Sequence, residues 1–300
     1  MTRPSISVVL PTHNGAKFLD QAIGSVVAQT WEDWELLVVN DASTDSTAQM
    51  IEAWAEKDER IRAIPLDRNV GLPAALNAGF RLARGAHFTW TSDDNWYRPD
   101  ALAMLLDALE AEPRSDVVFS DYTEVDENGA PLREVLARWR GDLVLGNRIG
   151  PCFLYRREVD TTLGGYAEEL SLAEDYDFWL RASRQFRFRP LNASLYFYRV
   201  HSDSLTARRG EAIEAASLLA LERHLDRLDR RERGKALVVM GAADLSRHKT
   251  RRGRHRLGQA IAQGRWPLFH AGFRLVLVDV AFGPRVGNWL RGLRTGARRR

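Results

Sequence analysis

The sequence predicts a layered α/β domain with a mixed, mainly parallel sheet flanked by helices, followed by a helical C-terminal region. Three observations predict it. Strand-like and helix-like segments alternate through the first two thirds of the chain, a pattern that gives parallel pairing with crossover helices. Acidic residues gather just after the strand-like runs, where sheets of this kind hold their ligands. After about Thr206 the pattern turns helical and the charge turns basic.

Each element follows from its local pattern. Residues 5–10 (SISVVL) are a short apolar, β-branched run that ends at Pro11. Over 16–29, Phe18, Leu19, Ala22, Ile23, Val26 and Val27 fall at helical spacing. Residues 35–40 (ELLVVN) form a second strand, 41–45 a turn and 46–57 a helix. A third strand at 61–66, a helix at 72–83 and a fourth strand at 86–91 (AHFTWT) complete the alternation. Further strands are expected at 116–120 (DVVFS), 152–155 (CFLY) and 194–199 (SLYFYR), with a helix at 176–183. The last part reads as helices at 211–228 and 234–247, joined by the charged stretch 229–233, then 251–263 and about 268–280. Two regions are expected, 1–205 and 206–300.

Composition narrows the function classes. With 45% hydrophobic and 28% charged residues over 300 positions, the chain is neither mainly disordered, nor collagen-like, nor a disulfide scaffold. Cys152 is the only cysteine, which excludes an intrachain disulfide and a cysteine-built zinc site and fits a reducing compartment. The first residues lack an apolar core with a small-residue cleavage site, so no signal peptide is expected. No run reaches the roughly 18 apolar residues of a membrane-spanning helix. The stretch 266–282 comes nearest and is broken by Arg274 and Asp279. A cytoplasmic protein is expected, peripheral at the inner face of the membrane if its tail binds there. The net charge of +3 hides an asymmetry: residues 207–300 hold 22 Lys/Arg against 8 Asp/Glu, and the rest holds 21 against 32.

The loops after the strands carry the candidate chemistry. Asp93 and Asp94 are adjacent after the fourth strand. Two such carboxylates are stable beside a divalent cation or strong donors, and a hard cation takes a few carboxylate oxygens plus substrate phosphates. An Asx turn or a helix cap ahead of Pro99 explains them equally well. Asp41 ends the second strand and can accept hydrogen bonds from a base or ribose, while Asp45 and Ser46 look like helix caps. Asn69 and Gly71 precede a helix holding Asn77 and Gly79; a glycine there permits close approach to a ligand, or simply turns the chain. Glu174 and Asp175 open an amphipathic helix, where acids favour the helix dipole and where one carboxylate near a hydroxyl suffices as a general base. His201 follows the last strand and, taken alone, is a packed or surface residue.

Taken in order, the motifs resemble the family-2 glycosyltransferases of the GT-A fold. They are S-V-V-L-P-T-H-N-G (7–15), S-V-V-A-Q-T-W-E-D-W-E-L-L-V-V-N-D-A-S-T-D-S-T (25–47), N-V-G-L-P-A-A-L-N-A-G (69–79), S-D-D-N (92–95), G-G-Y (164–166), E-D-Y-D-F-W-L-R (174–181) and Y-R-V-H (198–201), covering about residues 5–205. The resemblance implies a GT-A domain (Rossmann-like) and an inverting transfer of one sugar from a nucleotide-diphosphate sugar to an acceptor hydroxyl, in cell-envelope or surface glycan synthesis. It implies that Pro11, His13, Asn14, Asp41, Asn69, Gly71, Asn77 and Asp93 hold the donor. Asp94 and His201 would serve a Mg²⁺ or Mn²⁺ ion on the diphosphate, and Asp175 would deprotonate the acceptor.

The chain departs from the family pattern in three places. Thr91 stands where the D-x-D-D element usually begins, so Asp93 and Asp94 serve without a first acid. Gln263-Gly264-Arg265-Trp266 is one residue shorter than the Q-x-x-R-W signature of processive synthases and lacks flanking transmembrane helices, which favours single-sugar transfer. No known motif matches after about Thr206.

Beyond Arg265, apolar residues including Leu268, Phe273, Phe282 and Trp289 mix with Arg274, Arg285, Arg291, Arg294 and Arg298. This composition suits helices lying in an anionic membrane surface. It also suits a helical subdomain packed on the catalytic domain with a solvated basic face. A glycan or lipid-linked acceptor is the expected partner, and nucleic acid is not, since no reader motif accompanies the charge. A nucleotidyltransferase would need a Gly-rich basic loop after the first strand, which P-T-H-N-G is not. The remaining alternative is a catalytically inactive nucleotide-sugar-binding or membrane-surface scaffold, against which Asp94, Asp175 and His201 argue.

Overall fold

The computed structural model describes residues 3–137 and 143–263. Two compact units divide the chain between Ser217 and Leu218.

The first unit is built on one nine-stranded mixed sheet. Its order is β3 (Ile61–Pro65), β2 (Trp34–Asn40), β1 (Ile6–Thr12), β4 (His87–Trp90), β8 (Phe153–Arg156), β6 (Val117–Val125), β9 (Phe188–Arg199) and β5 (Trp96–Tyr97), with β7 (Pro131–Val135) beside β6. The pairs β1–β2, β1–β4, β2–β3 and β6–β9 are parallel. The pairs β4–β8, β5–β9, β6–β7 and β6–β8 are antiparallel.

Strands β1 and β2 are buried at every position, as expected of parallel strands covered on both faces. Helices supply that cover. Leu19, Ile23 and Val26 of α1 (Leu19–Val27) and Leu102, Leu105, Leu106 and Leu109 of α4 (Ala101–Ala111) share a core with Ile6, Val8 and Leu10. Side chains alternate across a strand, so Val9 points the other way. There it meets α3 (Leu72–Leu82), which follows α2 (Thr47–Lys57) and β3 in the chain. Gly79 permits that contact, because a Cβ at Gly79 would lie 2.5 Å from Val9 Cγ1 and 3.1 Å from Val39 Cγ2.

Helices α5 (Arg157–Leu163) and α6 (Glu174–Ala182) follow β8. Helix α7 (Leu205–His224) spans the division between the units and has a non-helical residue at Arg209 (φ −128°). In the second unit, α8 (Arg230–Ser246) and α9 (Thr250–Ala262) pack through small residues: a Cβ at Gly253 would lie 2.7 Å from Leu245 Cγ. Leu237, Val238, Leu257 and Ala260 form the core of this unit. The buried Arg256 donates to Asp244 at 2.7 Å beside them.

The expected strands and helices are present with ends moved by a few residues, and β6 and β9 run longer than expected. The stretch 229–233 is not a link but the start of α8: Asp229 and Glu232 form a reciprocal capping box. Ser46 precedes α2 without a side-chain cap; Asp45 accepts from Thr47 N instead, at 3.0 Å. Helices α4 and α5 and strands β5 and β7 have no counterpart among the expected elements. The expected helix at about 268–280, the arginine-rich end and the segment after Gln263 lie outside the described residues. Among the described residues no helix is long and apolar enough to cross a membrane.

Candidate active site

The carboxyl ends of β1 and β2 are joined by short polar contacts. His13 sits just past β1 and places Nδ1 2.7 Å from the main-chain oxygen of Asp41. A carbonyl only accepts, so Nδ1 carries the proton and Nε2 can accept from the Asn14 amide at 3.3 Å. Asn14 has a positive φ of 57° and receives Thr44 N on Oδ1 at 2.8 Å. Pro11 is buried one residue before the end of β1. The carboxylate of Asp41, itself buried, accepts from Val70 N at 2.7 Å and Gly71 N at 2.9 Å. Asp41 therefore shapes the 69–71 loop, in which Asn69 is exposed and Gly71 takes φ 84°.

Strand β4 delivers the two aspartates. Thr12 donates to Asp93 Oδ2 at 2.5 Å. Burial and the neighbouring charge of Asp94 push the Asp93 carboxyl up to about 6. A side chain at Gly15 would collide with both Asp93 and Thr12, so this turn requires glycine. Asp94 Oδ2 accepts from His201 Nε2 at 3.0 Å. With the proton on Nε2, Nδ1 of His201 is a lone-pair acceptor, and both it and Asp94 Oδ1 are buried without a hydrogen-bond partner. A polar atom buried in that state is costly. Nδ1 points away from the carboxylate, so one cation cannot take both orphaned atoms. The donor types a divalent cation prefers meet instead at the Asp94 Oδ2–His201 Nε2 contact, where a cation would replace the hydrogen bond. Among the described residues no three His, Cys, Asp or Glu side chains gather into a ready-made cation site. The remaining ligands would have to be phosphate oxygens or water.

Arg199, at the end of β9, holds this loop from behind. Its guanidinium donates to the main-chain oxygens of Asp94, at 2.9 Å, and Glu127, and to the Gln21 side chain. Its own N–H donates to Asn95 Oδ1 at 2.7 Å. The cation stacks 4.2 Å from the centre of Phe18 and 4.7 Å from that of Trp96. Phe18 in turn meets the His201 ring edge-on at 5.2 Å. At Thr91 the hydroxyl lies 2.7 Å from Tyr196 Oη in a buried pair.

Helix α6 supplies the acids of the E-D-Y-D motif. Asp175 is half-buried; Oδ1 accepts from Tyr176 N at 2.6 Å and Oδ2 from Asn147 Nδ2 at 2.8 Å. Burial raises its carboxyl above the ordinary range. Glu174 is buried, with Oε2 unpartnered, and burial together with the charge of Asp175 pushes it up to about 7. Arg181 joins the helix to the glycine turn, donating to Leu163 O and Gly165 O at 2.8 Å and pairing with Asp177 at 2.7 Å. Asn77 of α3 binds the same turn through Tyr166 N at 2.8 Å and Tyr166 O at 2.9 Å.

The sequence-derived candidates thus fall into three groups: His13, Asn14 and Asp41 with the 69–71 loop; Asp93 with Thr12, and Asp94 with His201; and Asn77 with the turn before Asp175. The amide of Asn77 is taken up by Tyr166 and Glu168 rather than left free for a ligand. Thr12, Gly15, Asn147 and Arg199 were not singled out by residue type. Thr12, Gly15 and Arg199 lie inside matched motifs, a signal that could have found them; Asn147 lies outside all of them.

The family described as Glycosyl transferase family 2 matches residues 7–164. The O-antigen biosynthesis protein RfbC of Myxococcus xanthus is 31% identical over 75% of this chain and 18% of its own length. The chain spans only 27% to 32% of the first curated relatives it matches. Among solved structures, S. aureus TarS 1–349 in complex with UDP-GlcNAc is 20% identical, with a TM-score of 0.66 over 86% of this chain and 81% of that one. Mannosyltransferase PcManGT from Pyrobaculum calidifontis, in complex with GDP-Man and Mn²⁺, is 19% identical, with a TM-score of 0.63 over 99% of this chain and 80% of that one. At these identities the two structures establish a shared GT-A fold.

Proposed function

Because the chain belongs to glycosyl transferase family 2, we propose that it moves one sugar from a nucleoside-diphosphate sugar to an acceptor hydroxyl with inversion, in cell-envelope or surface glycan synthesis. The observation that carries this reading is the Asp94–His201 pair, a carboxylate and an imidazole 3.0 Å apart at the carboxyl end of the sheet, with Asp94 Oδ1 buried without a partner. The neighbours solved with UDP-GlcNAc and with GDP-Man and Mn²⁺ support a nucleotide-sugar donor and a divalent cation. The relative named for O-antigen biosynthesis supports a glycan or lipid-linked acceptor.

In this reading residues 1–205 form the catalytic domain and 206–300 a basic helical region. Asp94 and His201 hold Mg²⁺ or Mn²⁺. When bound, that ion neutralises charge building on the leaving diphosphate. Asp93 touches ribose or phosphate, its orientation fixed by Thr12. His13, Asn14 and Asp41 line the nucleoside side with Pro11, Asn69 and Gly71, while Asn77 holds the turn before α6. Asp175 accepts the proton of the attacking hydroxyl through a carboxylate already oriented by two N–H donors. Attack from the face opposite the diphosphate inverts the anomeric carbon through an oxocarbenium-like transition state.

Calorimetric titration with nucleoside diphosphates and nucleotide sugars, each with and without Mn²⁺ or Mg²⁺, tests the reading. Cation-dependent binding of one nucleotide is the expected result. Absence of binding across the panel in wild-type protein would favour the inactive scaffold instead.

A further inference from the structure

Helix α6 opens with two adjacent carboxyl groups in very different surroundings. Both oxygens of Asp175 receive N–H donors: Tyr176 N on Oδ1 at 2.6 Å and Asn147 Nδ2 on Oδ2 at 2.8 Å. Glu174 is 5% exposed; backbone N–H groups of Glu174, Leu172 and Ala173 reach its carboxyl, but its Oε2 has no partner and no side chain donates to it among the described contacts. A buried carboxylate with one oxygen left unpartnered is costly, and two neighbouring carboxylates resist ionising together. An N–H donor stabilises the charged form of the group it reaches.

The orientation of the Asn147 amide is fixed by a second contact. Its Oδ1 accepts from Ile149 N at 3.1 Å, so the opposite end must be the NH₂ that faces Asp175. The loop is tied to α6 once more, by Tyr176 Oη donating to Leu143 O at 2.7 Å. We propose that Asn147 is a positioning residue for this pair: it fixes the shared proton on Glu174 and leaves Asp175 as the charged carboxylate. The inference rests on the reading of Asp175 as the base only for its catalytic meaning. A base must be unprotonated to act, and Glu174 keeps it so by holding the proton one residue away.

The other charged groups near the pair do not take the place of Asn147. Asp177 on the same helix is paired with Arg181. Glu168, in the short turn before α6, accepts from the Asn77 amide. Asp160 on α5 acts electrostatically on Tyr155 and Tyr166, and Tyr166 also senses Asp175. Arg148, beside Asn147, is exposed. None of these donates to Asp175 in place of Asn147.

The test is a carboxyl titration by ¹³C NMR of the full chain, labelled at Asp Cγ and Glu Cδ and assigned with Asp175→Asn and Glu174→Gln. In the wild type, Asp175 is expected to ionise at lower pH than Glu174. In Asn147→Ala the Asp175 midpoint is expected to rise by about one pH unit, a tenfold gain in proton affinity. Asn147→Asp keeps the shape but removes the donor and adds a charge, and it should raise the midpoint further. Glu174 ionising first in the wild type, or an Asp175 midpoint unmoved in both variants, overturns the proposal. Turnover by Asp175→Asn is a separate measurement. If that variant stays active the base reading falls, while the order of ionisation still decides the role of Asn147.

Discussion

Asn77 grips Tyr166 by both of its main-chain polar groups, receiving N–H at 2.8 Å and donating to C=O at 2.9 Å, across 89 residues of sequence. One side-chain amide thereby fastens the glycine turn before α6 to helix α3. Gly165 lies under it with φ 78°, and a Cβ there would stand 2.6 Å from Asn77 Oδ1. Asn77→Ala leaves two main-chain groups short of partners and should cost about 1–3 kcal/mol. Gly165→Ala adds backbone strain to a steric clash and should cost at least as much. Thermal or urea unfolding of each variant checks this; an unchanged midpoint for Asn77→Ala would mean that water replaces the amide without loss.

Removing one acceptor from the Asp94–His201 pair should act on cation binding before it acts on folding. Asp94→Asn keeps a partner for His201 but loses the negative charge. Cation-dependent nucleotide binding should fall at least about tenfold, the effect of a modest 1.4 kcal/mol, with little change in melting temperature. The calorimetric titration described above, repeated with Asp94→Asn and His201→Ala, reads this directly. Full affinity in Asp94→Asn would place the cation elsewhere.

The raised carboxyl of Glu174 makes a prediction with a definite sign. Its folded value of about 7 lies above its ordinary 4.5. The unfolded chain therefore releases this proton first, and stability falls as pH rises between the two values, then stays reduced above them. Glu174→Gln keeps the shape of the protonated form and should melt higher than wild type at pH 8, by an amount on the order of a few kcal/mol. The difference should vanish near pH 4. Melting curves at these two pH values decide it; an equal deficit at both would point to packing instead of charge.

Glu35 has the opposite sign. It is a buried residue of β2 and accepts from Ser7 Oγ on neighbouring β1 at 2.7 Å, Arg84 N at 2.5 Å, Arg84 Nε at 3.0 Å and Arg62 at 3.2 Å. Burial alone would raise its carboxyl, but these donors outweigh it and hold it below the ordinary value. The stabilisation is present above the unfolded value and is lost as pH falls through the folded one. Glu35→Ala should cost about 3 kcal/mol near neutral pH, the low end for breaking a buried pair, because both guanidinium groups can reach water. Urea unfolding at pH 7 and pH 3.5 should show the gap narrowing at the lower pH.

Much of this architecture is legible in the sequence because its signals are local. The β-branched runs of β1 and β2 and the helical spacing of α1 and α3 need no long-range information. Helix α4 also has such spacing, at Leu102, Leu105, Leu106 and Leu109, and follows a Pro-Asp pair that could have marked its start. The two-residue β5 and the exposed edge strand β7 lack a periodic pattern long enough to read. The candidate site divides in the same way. Asp93 and Asp94 stand out by type at a strand end. The pairing of Asp94 with His201 joins residues 107 apart and became an expectation only through the motif set. Asn147 carries no local mark, because its role depends on where the 143–150 loop meets α6.

Arg199 is the clearest case of a residue whose work is invisible in its own segment. Its partners Gln21, Asp94 and Glu127 and its stacking rings Phe18 and Trp96 come from three separate stretches of chain. Three guanidinium nitrogens are used at once, which the single ammonium of lysine cannot reproduce in the same plane. Arg199→Lys should leave at least one buried acceptor unpaired, at about 1–3 kcal/mol each, and should lower the melting temperature. Its carbonyl contact also fixes the backbone that carries Asp94. Nucleotide binding with Mn²⁺, measured well below the lowered melting point, should therefore weaken by about tenfold or more. If Arg199→Lys melts early yet binds like wild type, the guanidinium supports the fold alone, and the aspartate loop keeps its shape through Asn95 accepting from the residue-199 N–H.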